Sequence, residues 1–227
     1  MCVLVIFLFS FTSKRNEKRN LIKSEVIFIG ENALFLKSEA VNKLLIENNS
    51  NPSTIRKDRL DLNKLEQVIN AQEMIEKADV YVSIDGVLKA VVKQKTPIVR
   101  MFNKEESYYI DYKGVVMPLS ANFTARVPLV SGEINKKNSQ DLFKLFKIIY
   151  DDAFLRKNII GIQIMPNGSL LMLNRNYNYQ IDFGGLINIE QKFKNYKAFF
   201  QKVSLDGSLS KYKKIDLRFT EQVVCTK

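Results

Sequence analysis

The segment "ADVYVSIDGVLKAVVKQ" (78–94) constrains the fold most, because apolar and polar residues alternate on both sides of an Asp-Gly pair. A two-residue turn would pair Val82 with Lys89 and place a lysine on the buried face. A three-residue loop ending at Gly86, with that glycine in the left-handed conformation, pairs Val82 with Leu88 instead. Because the second register keeps apolar side chains together, we predict this longer hairpin within an antiparallel pair of strands.

One strand and two helices are predicted ahead of the hairpin. The strand covers Glu25–Ile29 and ends at Gly30. Ser38 is placed to cap a first helix, and a second helix starts after Asp61; both have apolar residues at helical spacing. The order is therefore strand, helix, helix, strand, strand. In this order the two helices would cover one face of a small sheet.

Short strands separated by turn residues dominate the C-terminal half. A helix capped by Ser139 carries an apolar stripe, and "PNG" marks a hairpin around Asn167-Gly168. A second helix is predicted over roughly 189–202. The chain then closes with a half-buried strand over Tyr212–Val223, in which apolar and polar residues alternate.

Composition excludes most catalytic chemistry. Histidine is absent, and Cys2 and Cys225 lie at opposite ends of the chain, so histidine-dependent nucleophiles and cysteine or histidine zinc sites are excluded. "DFGG" (182–185) resembles the kinase metal-binding triplet, but the other kinase motifs are missing. We therefore predict no catalytic residues, metal, cofactor or small-molecule substrate. A carboxylate-based hydrolase is the enzymatic alternative, and it requires two acids that converge in one cleft.

The net charge of +11 raises the question of nucleic acid as a partner. The lysines are spread along the whole chain, and only "SKRNEKRN" (13–20) concentrates charge. Nucleic-acid binding requires a basic patch that tracks the phosphates, so we predict no nucleic-acid partner. A binding or scaffolding role remains.

The N-terminal run "MCVLVIFLFSF" (1–11) is apolar almost throughout. A bilayer-spanning helix needs about 20 such residues, so the run is too short to span by itself. We interpret residues 1–21 as a partial transmembrane segment followed by a basic juxtamembrane stretch. The alternative is a buried N-terminal strand. Lys14 and Arg15 follow the run directly, and the positive-inside rule alone would keep that flank in the cytoplasm.

Four segments in order resemble the FtsQ/DivIB family of cell-division proteins, in its Bacteroidetes form. "KADVYVSIDGVLKAVVKQKTPIVRMF" (77–102) is similar to the end of that family's first extracytoplasmic domain, where a hairpin leads into residues here numbered Gln94, Pro97 and Arg100. The segments "YYIDYKGVVMPLS", "RVPLVSG" and "YKKIDLRFTEQVV" resemble the blocks that follow. The resemblance covers roughly residues 22–224.

The resemblance implies an α+β fold. Residues 22–100 would form a POTRA domain of β-α-α-β-β order, and residues 101–227 a mainly antiparallel β domain with two helices. It also implies that Asp111 accepts hydrogen bonds from turn amides rather than moving protons.

The family's function is non-enzymatic. Its members are single-pass proteins of the bacterial inner membrane at the division septum, with their C-terminal domains in the periplasm. They bind the FtsB and FtsL proteins and help control septal peptidoglycan synthesis. The alternative is a POTRA-containing accessory protein of outer-membrane assembly or secretion, which predicts several POTRA repeats or a barrel-like C-terminal pattern.

We expect partner binding by β-augmentation, in which a partner segment adds to the terminal strand as a further strand. The side chains expected to contribute are Tyr212, Ile215, Asp216, Leu217, Arg218, Phe219, Glu221 and Val223. Phe219 is the expected aromatic anchor, whereas Leu217 is equally compatible with the core. Lys192 and Lys194 are candidate contacts for an acidic partner, with a solvated lysine face as the alternative.

Overall fold

The chain forms two compact units in a computed structural model. The described residues are 5–7, 9–10, 12, 19–30, 35–46, 51–103, 106–135 and 138–227. The first unit is Met1–Lys95 with Ser120–Thr124, and the second is Thr96–Leu119 with Ala125–Lys227. Much of the predicted transmembrane segment and of the basic stretch behind it lies outside the described residues. Within the described ranges, no helix has the length and apolar composition that a membrane crossing requires.

The first unit is a three-stranded sheet with two helices. Its elements are β1 (Lys23–Ile29), α1 (Ser38–Leu45), 3-10 turns at Pro52–Thr54 and Lys57–Arg59, α2 (Leu62–Asn70), β2 (Ile75–Val82) and β3 (Val87–Gln94). β3 lies in the centre, parallel to β1 and antiparallel to β2. Apolar residues of both helices pack with those of the sheet in one core. The predicted β-α-α-β-β order is confirmed.

The hairpin between β2 and β3 has the predicted register. Val82 lies opposite Leu88, and Lys89 lies opposite Tyr81 on the exposed face. Gly86 has a φ of +91°, the left-handed conformation that a three-residue loop requires. The alternation of apolar residues was therefore sufficient to choose between the two registers.

Both predicted serine caps are wrong by one residue. Ser38 and Ser139 are the first helical residues, and Lys37 and Asn138 precede them as N-caps without a side-chain capping bond. Helix ends are the least certain part of a sequence-based prediction, because a cap depends on backbone angles as well as residue type.

Side chains of α2 occupy the outer edge of β2. The Asn70 side chain accepts a hydrogen bond from the Ala78 N–H at 2.7 Å and donates one to the Ala78 carbonyl at 3.3 Å. A carboxylate oxygen of Glu66 accepts from the Val80 N–H at 3.1 Å. These contacts take the positions that a neighbouring strand would use, so this edge is closed to strand pairing there.

The second unit contains a nine-stranded mixed sheet. Its strands are β4 (Pro97–Phe102), β5 (Ser107–Asp111), β6 (Val116–Met117), β7 (Leu129–Ser131), β8 (Ile159–Ile164), β9 (Leu170–Asn174), β10 (Gln180–Gly184), β11 (Lys214–Asp216) and β12 (Val224–Thr226). The spatial order is β12-β11-β10-β9-β8-β7-β4-β5-β6. Among these neighbours, β4 with β7, β7 with β8 and β10 with β11 are parallel, and the rest are antiparallel. The sheet is thus mainly antiparallel, as predicted.

The second unit has three α-helices among its described residues, where two were predicted. They are α3 (Ser139–Asp151), α4 (Ala153–Asn158) and α5 (Ile189–Leu205), with a 3-10 turn at Leu209–Lys211. The chain breaks at Asp152, whose backbone is extended and whose side chain accepts from the Phe154 and Leu155 amides. Aspartate is a strong N-cap, so it starts a new helix where the apolar pattern alone predicts continuation.

The helices bury one face of this sheet. Leu145 and Phe146 of α3 and Phe193 of α5 belong to the same core as Met172 of β9. Leu173, the next residue of β9, is 50% exposed, so alternate side chains remain on an open face.

The "YYIDYKG" segment forms the predicted strand and turn. One oxygen of the Asp111 carboxylate accepts from the Lys113 and Val115 amides at 2.9 and 2.7 Å. Gly114, with a φ of +82°, completes the turn. Asp111 is therefore a turn-stabilising residue.

We predict that replacing Asn70 and Glu66 together with alanine opens the edge of β2. The Ala78 and Val80 amides would exchange these partners for water, which lowers the free energy of unfolding by about 0.5–1.5 kcal/mol per lost hydrogen bond. The exposed edge would also pair with other chains. Sedimentation velocity should show concentration-dependent association beyond that of the parent.

The matched control replaces Asn63 and Gln67, which are exposed positions of the same helix, with alanine. This control should sediment like the parent. If the double variant at Asn70 and Glu66 sediments and unfolds like the parent, these side chains do not close the edge of β2.

Candidate partner-binding edge

The C-terminal strand is shorter than predicted and is not the edge. β11 ends at Asp216, residues 217–223 form a loop, and β12 then returns antiparallel along β11. The predicted strand over Tyr212–Val223 is therefore wrong, and the outer side of β11 is already occupied by the chain itself. The free edge at this end of the sheet is β12 (Val224–Thr226).

The register shows which main-chain groups the edge offers. In the parallel pair with β10, Ile215 and Leu217 direct their amides toward β10, so those of Lys214 and Asp216 face β12. Cys225 lies opposite Ile215. Its N–H and C=O therefore point away from β11, and no side chain among the described residues bonds to either group.

Side chains on β12 alternate between core and solvent. Cys225 is a partly buried free thiol that packs against the core, as does Val223 before it. Burial raises the pKa of the Cys225 thiol, so it remains protonated. Val224 is 41% exposed, and Thr226 is also exposed. The edge thus presents an apolar side toward the core and an accessible side toward the open face of the sheet.

An ion-pair cluster fixes the start of the loop 217–223. The Arg218 Nε lies 3.0 Å from both oxygens of Asp216 and 3.6 Å from Asp182. Lys214 Nζ lies 2.9 Å from the same Asp182 carboxylate. The Leu217 N–H also donates to the Asp182 carbonyl at 2.8 Å. The Arg218 side chain folds back onto Asp216 at the end of β11, and this contact stabilises the turn of the chain.

Asp182 and Asp216 meet in this cluster, which is the convergence of acids that a hydrolase would require. Hydrogen bonding to Arg218 lowers the pKa of Asp216, so this carboxyl is ionised at neutral pH. A general acid needs a raised pKa instead. With Arg218 and Lys214 pairing both carboxylates, the cluster has the character of a structural anchor.

Gly184 provides the surface on which Arg218 packs. Its φ is +70°, and a Cβ added there would lie 2.6 Å from the Arg218 Cγ. A side chain at this position would therefore displace the Arg218 stem. The missing side chain is what allows β10 and the loop 217–223 to approach so closely.

The loop itself carries the exposed candidates. Phe219 is 48% exposed, with the Arg218 guanidinium 6.0 Å from its ring centre, and Glu221 is exposed. The side-chain amide of Asn195 on α5 donates to the Thr220 carbonyl at 2.7 Å and ties the loop to the helix. The loop is thus held at Arg218 and at Thr220, on either side of the exposed Phe219.

The other predicted contributors on this segment are buried or partly buried. Ile215, Asp216 and Leu217 are buried, and Tyr212 and Val223 are partly buried. Leu217, which was equally compatible with a core position, is 1% exposed. These residues can support the edge, but their side chains are not displayed on it.

The two predicted lysine contacts differ. Lys194 is exposed, but Lys192 is only 1% exposed and donates to the Phe183 and Gly185 carbonyls at 2.9 and 2.8 Å. The interpretations of Lys192 as a surface contact or as part of a solvated face are both wrong. Lys192 lies three residues after Ile189, which is on the buried stripe of α5, so helical spacing could have indicated its burial.

Comparison with known families agrees with this architecture. The family described as FtsQ/DivIB, C-terminal related, matches residues 96–226, and a POTRA-like domain family matches residues 26–93. No curated protein matches the chain significantly. The first match covers more than half of the chain and includes β12, and the family is a non-enzymatic scaffold family of cell division. The chain therefore belongs to the FtsQ/DivIB family of cell-division proteins.

Proposed function

We propose that this chain is a divisome scaffold that accepts an extended segment of a partner along β12. The partners are proteins of the FtsB and FtsL type, and the outcome is control of septal peptidoglycan synthesis without catalysis by this chain. The observation that carries the proposal is the position of β12 at the end of the nine-stranded sheet, with the Cys225 main chain directed outward.

In strand addition at this edge, main-chain hydrogen bonds would supply affinity and side-chain contacts would supply selectivity. A partner strand would bond to the Cys225 N–H and C=O, and to the next outward positions at Val223 and Lys227. Side chains at Val224 and Thr226 would contact its exposed side. Phe219 in the adjoining loop would supply an aromatic anchor, as aromatic residues commonly do in protein interfaces.

The rival role, capture of unfolded strands by the POTRA-like unit, finds less support. A strand-capturing unit needs an accessible edge, and the Asn70 and Glu66 side chains occupy the outer edge of β2 at Ala78 and Val80. The other border of that sheet is β1. The scaffold role is favoured by the FtsQ/DivIB match over residues 96–226 and by a POTRA-like match over the single segment 26–93, where the rival predicts several repeats.

We also propose that residues 1–21 anchor the chain in the inner membrane, as a single pass, with both units in the periplasm at the septum. The apolar run 1–11 supports the anchor. The orientation is taken from the family resemblance, because the positive-inside rule, applied to the basic residues behind the run, would by itself favour the opposite orientation. A protease added to spheroplasts should remove an epitope tag placed after Lys227, whereas the tag should survive in intact cells. A tag that survives in spheroplasts, while a periplasmic control protein is degraded, would contradict this topology.

We predict that Cys225→Pro weakens capture of the FtsB-type partner by about tenfold or more. Proline removes an N–H that points outward, so no bond between β11 and β12 is lost, but the partner loses one main-chain hydrogen bond and meets the ring. Isothermal titration calorimetry of the protein with the FtsB-type partner measures the change in affinity. Thermal melts verify that the variant folds.

Cys225→Ala keeps the N–H and is the matched control, so the difference between the two variants isolates the main-chain group. Equal affinities for Cys225→Pro and Cys225→Ala would refute strand addition at β12.

We predict that Phe219→Lys abolishes capture of the FtsB-type partner in a pull-down while the protein remains folded. The half-exposed ring would be replaced by a charge that must be desolvated in the interface. Leu205→Lys, which changes an 88% exposed apolar residue at the end of α5, is the control and should leave capture intact. Undiminished capture by Phe219→Lys would remove Phe219 from the interface.

A further inference from the structure

Lys192 is a buried lysine whose position needs an explanation. Its side chain is 1% exposed, and its ammonium lies 4.8 Å from the centre of the Phe183 ring. Burying an ammonium is costly unless hydrogen bonds and charge compensate, and burial accordingly lowers the pKa of Lys192. Methionine would fill a similar volume without that cost. The lysine must therefore provide something that an apolar side chain could not.

What Lys192 provides is two hydrogen bonds to one turn. Its Nζ donates to the carbonyls of Phe183 and Gly185, the two residues that flank Gly184. These bonds hold both sides of a residue in the left-handed conformation, with a φ of +70°. The Lys192 side chain of α5 therefore fixes the turn at the end of β10.

The pinned turn is the surface that orients Arg218. The Arg218 stem packs where a Gly184 side chain would lie, and its guanidinium then reaches Asp216. Arg218 in turn directs the chain into the loop that displays Phe219 beside β12. A continuous set of contacts thus runs from a buried ammonium to the exposed edge.

We propose that Lys192 is a positioning residue for partner binding: it sets the turn around Gly184, and through Arg218 it sets the conformation of the loop 217–223. This inference rests on the proposed function and deepens it. The partner's affinity depends on a side chain that the partner does not touch.

The test compares Lys192→Met with Lys202→Met, an exposed position of the same helix. Lys192→Met should weaken capture of the FtsB-type partner by about tenfold, corresponding to about 1.4 kcal/mol. In ¹H–¹⁵N spectra its Arg218 Nε–H signal should shift and exchange faster with solvent, because the guanidinium leaves Asp216. A lysine that only stabilised the core would lower the melting temperature without moving that signal. Lys202→Met should change neither quantity.

Gly184→Ala is the second variant, and it keeps the buried lysine. The added methyl group should displace the Arg218 stem and reproduce both changes. If Lys192→Met does not fold, Lys192→Gln, whose amide can donate to one of the two carbonyls, replaces it in the test. Parent-like capture together with an unmoved Arg218 signal, in whichever of these variants folds, would overturn the proposal.

Cys225→Pro separates this failure from failure of the proposed function. If Cys225→Pro loses capture while Lys192→Met and Gly184→Ala retain it, the positioning role is refuted and strand addition at β12 stands. If Cys225→Pro captures the partner as well as Cys225→Ala does, the proposed function itself is refuted, and the positioning role falls with it.

Discussion

A strand at the border of a sheet leaves half of its main-chain N–H and C=O groups without a neighbouring strand, and this constraint shapes both units of the protein. In the first unit, Asn70 and Glu66 of α2 satisfy outward groups of β2. At β12 no described side chain does the same for Cys225. The β2 border is closed at these positions by the protein itself, whereas we propose that the β12 border is completed by a partner.

The geometry of the β12 edge depends on contacts with the elements around it. β12 is only three residues long and pairs with an equally short β11. Such a pair has little cooperativity of its own, so its geometry must come from contacts with the rest of the sheet and with α5. The Arg218 cluster, the Asn195 bond to Thr220 and the Lys192 bonds supply those contacts. Each fixes the loop or its support, and none occupies the border.

Local patterns in the sequence predicted much of the fold. The alternation around Gly86 gave the correct hairpin register, and the order of elements in the first unit followed from helix and strand signals. The pattern failed at the C-terminus, where Ile215, Leu217 and Phe219 alternate as one strand would. Leu217 is buried, but the chain then turns because Arg218 pairs with Asp216 and packs on Gly184. The contact with Gly184 joins residues more than thirty positions apart, so no local pattern could predict it.

The family resemblance assigned partner binding to Tyr212–Val223, whereas the free edge in the structure is the next strand, β12. Phe219 and Glu221 are exposed, but Cys225 was missed because the predicted strand ended at Val223, two residues before it. Lys192 was misassigned for a different reason. Its charge indicated solvent, although its helical spacing relative to Ile189 indicated the core.

Residue-resolved hydrogen exchange of the Cys225 amide, with and without the FtsB-type partner, tests strand addition at β12 most directly. In the free protein this amide should exchange quickly, while the Val224 and Thr226 amides, which face β11, exchange more slowly. Addition of the partner should slow exchange at Cys225 specifically. An amide that is already protected in the free protein, or that exchanges equally fast in the complex, would contradict the account.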